Sequence, residues 1–312
     1  MVYLYLMGGL GNQMFQYAYL RHFLKKYPDE KVVIDTSSYN TDQLRDFSLC
    51  HFEINQNWSY RDAQDEIKQT FRYRIIFRKI LSRLIPGADK VDGDYEECTI
   101  PYTIKYSILN YFGIYRHNYS RYMKLKPSMF KTKFIAGMWH SRYIIDDVLE
   151  DVKKEFVLTD KLSGYNADFS ERMRETNSVC VHVRRGDYLK LPQYWVCDFE
   201  YYKTAVNLAK RELDNPTFFF FSDDIEWVKE KFGSGEDYYY MEEKNPDYVD
   251  FAVMSSAKHF VISNSTYSWW ASECGTYEGK RIYAPDRWYA NDITKSCIYG
   301  RDWELIPTRV TR

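Results

Sequence analysis

The feature that most constrains this chain is an alternation in its second half. Ser178–Val183, Thr217–Phe221, Asp237–Met241, His259–Ile262 and Arg281–Ala284 are short apolar runs with the length of strands. Between most of them lie segments of helical length and spacing: Phe199–Leu213, Ile225–Phe232, Asp247–Ala257 and Tyr267–Cys274. Strands separated by helices are joined by crossovers rather than hairpins, so they run parallel, with helices on both faces. The expectation is a doubly wound sheet, in which ligands bind beyond the carboxyl ends of the strands.

The chain opens in the same manner. Val2–Met7 reads as a strand, Gly8–Gln13 as a glycine-punctuated turn, Met14–Tyr27 as a helix and Lys31–Asp35 as a second strand. At 312 residues there is room for two domains. The polar stretch 163–177 (SGYNADFSERMRETN) suggests a boundary that gives domains 1–170 and 171–312. The expected fold class is therefore α/β, with two Rossmann-like domains facing a cleft, a GT-B-like layout.

From about Thr36 to Glu155 the pattern is less regular. Arg72–Ile85 is basic and amphipathic, with Ile76, Ile80 and Leu84 at helical spacing, and Pro86-Gly87 ends it. It reads either as a helix packing its apolar face on the protein or as a peripheral membrane contact. Residues 124–140 hold short aromatic runs without an assignable motif.

Charge excludes some classes of partner. Forty-three Lys and Arg against 44 Asp and Glu leave a net charge of −1, with no global bias toward nucleic acid. An anionic ligand must be held by a local group of donors. The cysteines at 50, 98, 180, 197, 274 and 297 form no C-x-x-C pair, so neither zinc nor a redox motif is indicated. No signal-like segment is read at the start, and no run approaches the roughly 18 apolar residues of a membrane span. The expected location is cytoplasmic, peripheral to the membrane if the basic helix meets it.

Four motifs carry chemistry. Gly8-Gly9-Leu10-Gly11-Asn12-Gln13 follows the first strand. Its glycines allow close backbone approach to a ligand, and the next helix aims its N–H groups there. The alternative is a plain strand–helix turn; the G-x-G-x-x-G of dinucleotide enzymes is not present. His182-Val183-Arg184-Arg185-Gly186-Asp187-Tyr188 ends a strand. Guanidinium forks match a phosphate bidentately, whereas the rival reading pairs the arginines with aspartate. Ser222-Asp223-Asp224 ends the aromatic strand, with Asp224 a helix cap and Asp223 a ligand candidate. Ser263-Asn264-Ser265-Thr266 precedes a helix, and its hydroxyls with the helix N–H groups suit a phosphate.

Taken in order, GGLGNQMFQYA, HVRRGDY, FFFFSDD and SNSTYSWWA resemble glycosyltransferase family 11, the bacterial and animal α-1,2-fucosyltransferases. The resemblance implies an inverting transfer of L-fucose from GDP-fucose to the 2-hydroxyl of a terminal galactose, with no metal and no cofactor. It implies the second domain as the donor side and the first as the acceptor side. Arg184 is the expected grip on the diphosphate, with Arg185 close by. His182 and Asp223 are expected near the guanosine, and Ser265 and Thr266 at the phosphates. Asn12 is expected near the sugar. Gly9, Gly11, Gln13, Ser222 and Asn264 complete the donor-site candidates. Asp187 is the candidate catalytic base, with orientation of Arg184 or Arg185 as its other role. Two rival readings are a metal-dependent GT-A enzyme using Asp92 and Asp94, and a non-catalytic sugar-nucleotide or carbohydrate-binding protein. The acceptor glycan is not legible.

Overall fold

The computed structural model describes residues 1–42, 44–85, 100–117, 124–290 and 297–308. The chain forms two units. One comprises Met1–Glu155 with the short segment around Cys297, and the other begins at Phe156.

The first unit contains β1 (Val2–Tyr5), α1 (Leu10–Lys26), β2 (Val32–Asp35), β3 (Ser59–Arg61), α2 (Gln64–Leu84), α3 (Ile100–Tyr111), β4 (Ile114–His117), β5 (Lys133–Gly137), α4 (Arg142–Ile145) and α5 (Leu149–Glu155). Its five strands are all parallel, in the order β3-β2-β1-β5-β4. The chain moves outward from β1 to β3 on one side and returns through β4 and β5 on the other. The direction therefore reverses between β1 and β5, which is where an open parallel sheet forms a crevice. β5 lies in the stretch that the sequence left unassigned. α1 starts at Leu10, so Gly11, Asn12 and Gln13 occupy its first turn rather than a loop. The basic segment is the second half of the longer α2, which begins at Gln64.

The second unit contains α6 (Gly164–Glu175), β6 (Ser178–Val183), α7 (Phe199–Glu212), β7 (Thr217–Ser222), α8 (Ile225–Phe232), β8 (Tyr238–Tyr240), α9 (Asp247–Met254), β9 (His259–Val261), α10 (Thr266–Cys274), β10 (Ile282–Pro285) and β11 (Glu304–Ile306). The order is β11-β10-β9-β6-β7-β8, all parallel. Numbered within the unit, this is the 3-2-1-4-5-6 order of dinucleotide folds, with its switch point between β6 and β9. All six residues of β6 are buried, as a central parallel strand covered on both faces requires. The aromatic runs pair across strands: Phe219 stacks on Tyr239 and Phe220 on Tyr240, in register.

The unit boundary falls earlier than the polar stretch suggested. α6 sits inside that stretch, yet Met173 is buried and Phe169 meets Phe219 and Phe221 edge-on. A helix of mostly polar composition is thereby anchored to the second sheet through its few apolar side chains. Among the described residues, Cys180 is buried, Cys197 partly so, and Cys50 is exposed.

Candidate active site

At the carboxyl end of β6 the two arginines are held by three carboxylates. Arg184 donates from Nη2 to Asp187 Oδ1 at 2.7 Å, and its Nη1 lies 3.0 Å from Asp223 Oδ2. Asp223 Oδ1 accepts the backbone N–H of Arg185 at 2.9 Å. The Arg185 side chain bonds Asp224 Oδ2 through Nε at 3.0 Å and lies over the Trp227 ring at 3.7 Å. Gly186 permits this closeness: a Cβ there would stand 2.6 Å from Asp223 Oδ2. The fork of Arg184 is thus fixed in direction before any ligand arrives. Its contacts to Asp187 and Asp223 use only part of its five-donor set. Both arginines line a cavity of about 270 Å³, together with Tyr188, Tyr194, Trp195 and Trp227.

This geometry bears on two expectations. Both oxygens of Asp223 face the arginines, so it is placed to orient them. Asp187 is engaged by Arg184, which favours orientation, the second of its two readings. Asp224 caps α8, as expected, by accepting the N–H of Trp227. Ser222 closes the same turn by accepting the N–H of Asp224 at 3.0 Å.

His182 is buried at the end of β6, with Nδ1 3.0 Å from Ser263 Oγ. Burial, assisted by the Arg184 charge, pushes its pKa down to about 3, so the imidazole is neutral. Its ring faces Tyr267 at 5.5 Å. Across the switch point, Ser265 caps α10 by accepting the N–H of Tyr267, and Thr266 is the first helical residue. Asn264 lines the same cavity as the two arginines. Its amide donates to the carbonyls of Tyr194 (3.1 Å) and Trp288 (2.9 Å), and its oxygen accepts the Cys197 thiol. It ties three loops together beneath the site.

Sequence reasoning missed Asp250 on α9. Burial raises its pKa to about 6, although Asn245 Nδ2 donates to it at 2.8 Å. Its charge acts on the same Tyr267 whose ring faces His182. The available signal was a lone acid within the apolar run YVDFAVM.

The opening motif occupies the switch point of the first unit. Gly8 has φ +81°, and a Cβ there would stand 2.7 Å from Asn12 Nδ2. Its carbonyl accepts from Gln13 Nε2 (3.1 Å) and the Tyr39 hydroxyl (3.0 Å). Gln13 also donates to the Asp46 carbonyl and accepts the Leu49 N–H. It is wholly buried, so it builds the loop instead of presenting an amide to a ligand. Gly9 is the N-cap of α1, and Gly11 is buried in the first turn. Asn12 remains half-buried, its Oδ1 3.2 Å from Nε2 of His140.

His140 also escaped the sequence reading. It follows β5 in a turn where Trp139 takes φ +59° and stacks on Tyr19 at 3.5 Å. Burial lowers its pKa to about 4. Asn12 and His140 belong to the first unit, and the arginine cluster and α10 to the second. Asp92 and Asp94 lie outside the described residues. Among the described residues, no three His, Cys, Asp or Glu side chains are grouped as metal ligands.

The family model described as Glycosyl transferase family 11 matches residues 1–307. The chain belongs to glycosyltransferase family 11. It is 26% identical to the O-antigen biosynthesis glycosyltransferase WbnK of Escherichia coli, over 97% of this chain and 99% of that protein. It is 30% identical to an alpha-1,2-colitosyltransferase of the same species, over 93% of each chain. The human galactoside alpha-(1,2)-fucosyltransferase 1 is 30% identical over 39% of this chain and 38% of its own length. The family 11 chain is thus a fucosyltransferase-like glycosyltransferase built from two Rossmann-like units.

Proposed function

We propose that this protein transfers L-fucose from GDP-fucose to the 2-hydroxyl of a terminal galactose, with inversion and without a metal ion. The observation that carries the reading is the Arg184 fork, fixed at the switch point of the second unit by Asp187 and Asp223. Breaking the sugar–phosphate bond leaves charge on the diphosphate and an oxocarbenium-like sugar. Preorganised donors aimed at that charge lower the barrier because they need no reorganisation during the reaction. Arg184 and Arg185 supply such donors, and the capped N-terminus of α10 supplies backbone N–H groups of the same sign. Asp187 and Asp223 act as positioning residues for the fork. Asp250 is a better candidate than Asp223 for the guanine edge, whose N–H donors match a carboxylate. Asn12 of the first unit is assigned to the sugar.

The alpha-1,2-colitosyltransferase likeness favours a second reading of the donor alone. Colitose is the 3-deoxy analogue of fucose, and the two differ by one hydroxyl on the same scaffold. The test is incubation with GDP-fucose or GDP-colitose and a panel of galactosides in excess EDTA, with product linkage determined by NMR. A 1→2 fucosyl product under EDTA supports the first reading. A colitosyl product alone moves the assignment to the second. Activity that EDTA abolishes and manganese restores overturns the metal-free mechanism.

A further inference from the structure

α2 has two apolar faces, and only one of them is covered. Ile67 and Phe71 are buried against Tyr3 and Val33, and Leu81 against Leu109 and Ile114. Arg74 belongs to this inner side, donating to the Thr132 carbonyl at 2.9 Å and lying over the Phe130 ring at 4.0 Å. On the opposite side Tyr73 is 80% exposed, Ile76 47%, Ile80 44% and Leu84 70%. At 3.6 residues per turn these four residues share one stripe, and Arg72, Lys79 and Arg83 flank it along one edge, all within an arc of about 140°. The three cations are exposed. On α3, Ile104 and Tyr111 are about half exposed as well.

The charge is one-sided in a nearly neutral protein. From Ile67 to Ile85 there are six Lys and Arg residues and no Asp or Glu, against a net charge of −1 for the whole chain. Core packing does not require such a stripe, because the inner face of α2 already meets that need. A surface partner that takes both an apolar stripe and a row of cations must be apolar below and anionic above. A bilayer interface with acidic headgroups has that layering.

We infer that the outer face of α2 docks this protein on an anionic lipid surface, with Tyr73, Ile76, Ile80 and Leu84 entering the interface and Arg72, Lys79 and Arg83 at the headgroups. The helix lies along the surface and does not cross it; among the described residues no helix is long and apolar enough to span a membrane. The inference does not depend on the identity of the donor or acceptor sugar.

The test is sedimentation of the full-length protein with vesicles of phosphatidylcholine alone or containing 40 mol% phosphatidylglycerol, at low and high salt. The expected result is binding to the anionic vesicles that weakens with salt, because the attraction is screened. Each cation removed (Arg72→Gln, Lys79→Gln or Arg83→Gln) should lower the partition coefficient about fivefold. Ile76→Glu with Ile80→Glu should abolish binding. These variants should keep the wild-type melting temperature and wild-type turnover of a soluble galactoside, because none belongs to the inner face or the active site. No binding to anionic vesicles at low salt overturns the inference, as does variant binding equal to wild type. Sedimentation velocity run in parallel covers a second occupant: a wild-type dimer that the Ile76→Glu, Ile80→Glu protein loses gives the face to another copy of the chain. Residues 89–97, outside the described residues, hold five acids. Vesicle binding that appears only when these are changed to amides would assign the cations to the chain's own acidic segment and equally overturn the inference.

Discussion

His140 Nε2 stands 3.2 Å from the side-chain oxygen of Asn12, across the switch point of the first sheet. With the Nε2–H tautomer the imidazole donates, and the Asn12 amide is fixed in one orientation. The contact joins the turn after β1 to the turn after β5, two neighbouring strands whose loops lie far apart in sequence. His140→Ala should lower kcat about tenfold or more, while His140→Gln, which retains a donor, should recover most of it. Because burial holds the imidazole neutral down to about pH 4, the activity of the wild type should show no inflection from this residue between pH 5.5 and 8. Equal loss in both variants, with such an inflection, would mean that His140 exchanges a proton and does not hold Asn12.

Arg184→Lys keeps the charge and loses the fork. The expected loss in kcat is on the order of 10²-fold, the scale of a lost electrostatic donor. The melting temperature should change little, because ion pairs of partly exposed groups contribute about 0–1 kcal/mol. Turnover and thermal melting on the same preparations check this. A folded Arg184→Ala protein with near-wild-type kcat would falsify the central assignment.

Gly186→Ala places a methyl group 2.6 Å from the present position of Asp223 Oδ2. The carboxylate can swing away cheaply, so stability should hold within about 1 kcal/mol. Swinging away releases Arg184 and the N–H of Arg185, so GDP affinity and kcat should both fall. Asp223→Ala should produce a similar loss. The double variant should be scarcely worse than either single one, because both act through the same contact. Additive losses in that cycle would separate the two residues.

Asp250 gives a pH-dependent test. Its folded pKa, raised by burial to about 6, lies above the unfolded value near 3.8. The native state therefore binds the extra proton, and this contribution to stability is present below about pH 3.8 and lost as pH rises through 6. Asp250→Asn removes the buried charge and keeps an acceptor for Asn245. Relative to wild type, its melting temperature should be higher at pH 7.5, the difference should shrink as pH falls through 6 and vanish only below about 3.8, and its GDP affinity should be lower at pH 7.5. A melting difference independent of pH would show that Asp250 does not titrate in this range.

The parallel sheets were legible because period and length separate buried strands from helices over a long stretch. The switch points were legible too, since the chain places glycines after β1 and arginines after β6. The insertion of β5 beside β1 was not, because KFIAG carries no local sign of its partner, and His140 therefore went unnoticed. The structural bonding of Gln13 was hidden for a related reason. A polar side chain near a site looks the same in sequence whether its amide faces a substrate or satisfies backbone carbonyls. The burial of Asp250 and the arginine partners of Asp223 were not legible either, because only tertiary packing provides them.

The order of the second sheet has a consequence during synthesis. β6 is made first but ends at the centre, and its neighbour β9 emerges about eighty residues later; His182 and Ser263, which meet at the switch point, are 81 residues apart. Until β9 is translated, β6 can pair on one side only, and a strand whose six residues are all buried in the finished fold is left as an open edge. Such an edge recruits other strands, so nascent or truncated chains ending between residues 222 and 259 should aggregate or require a chaperone. The arginines at the end of that strand face the N-terminus of α10 across the switch point only when the edge is closed.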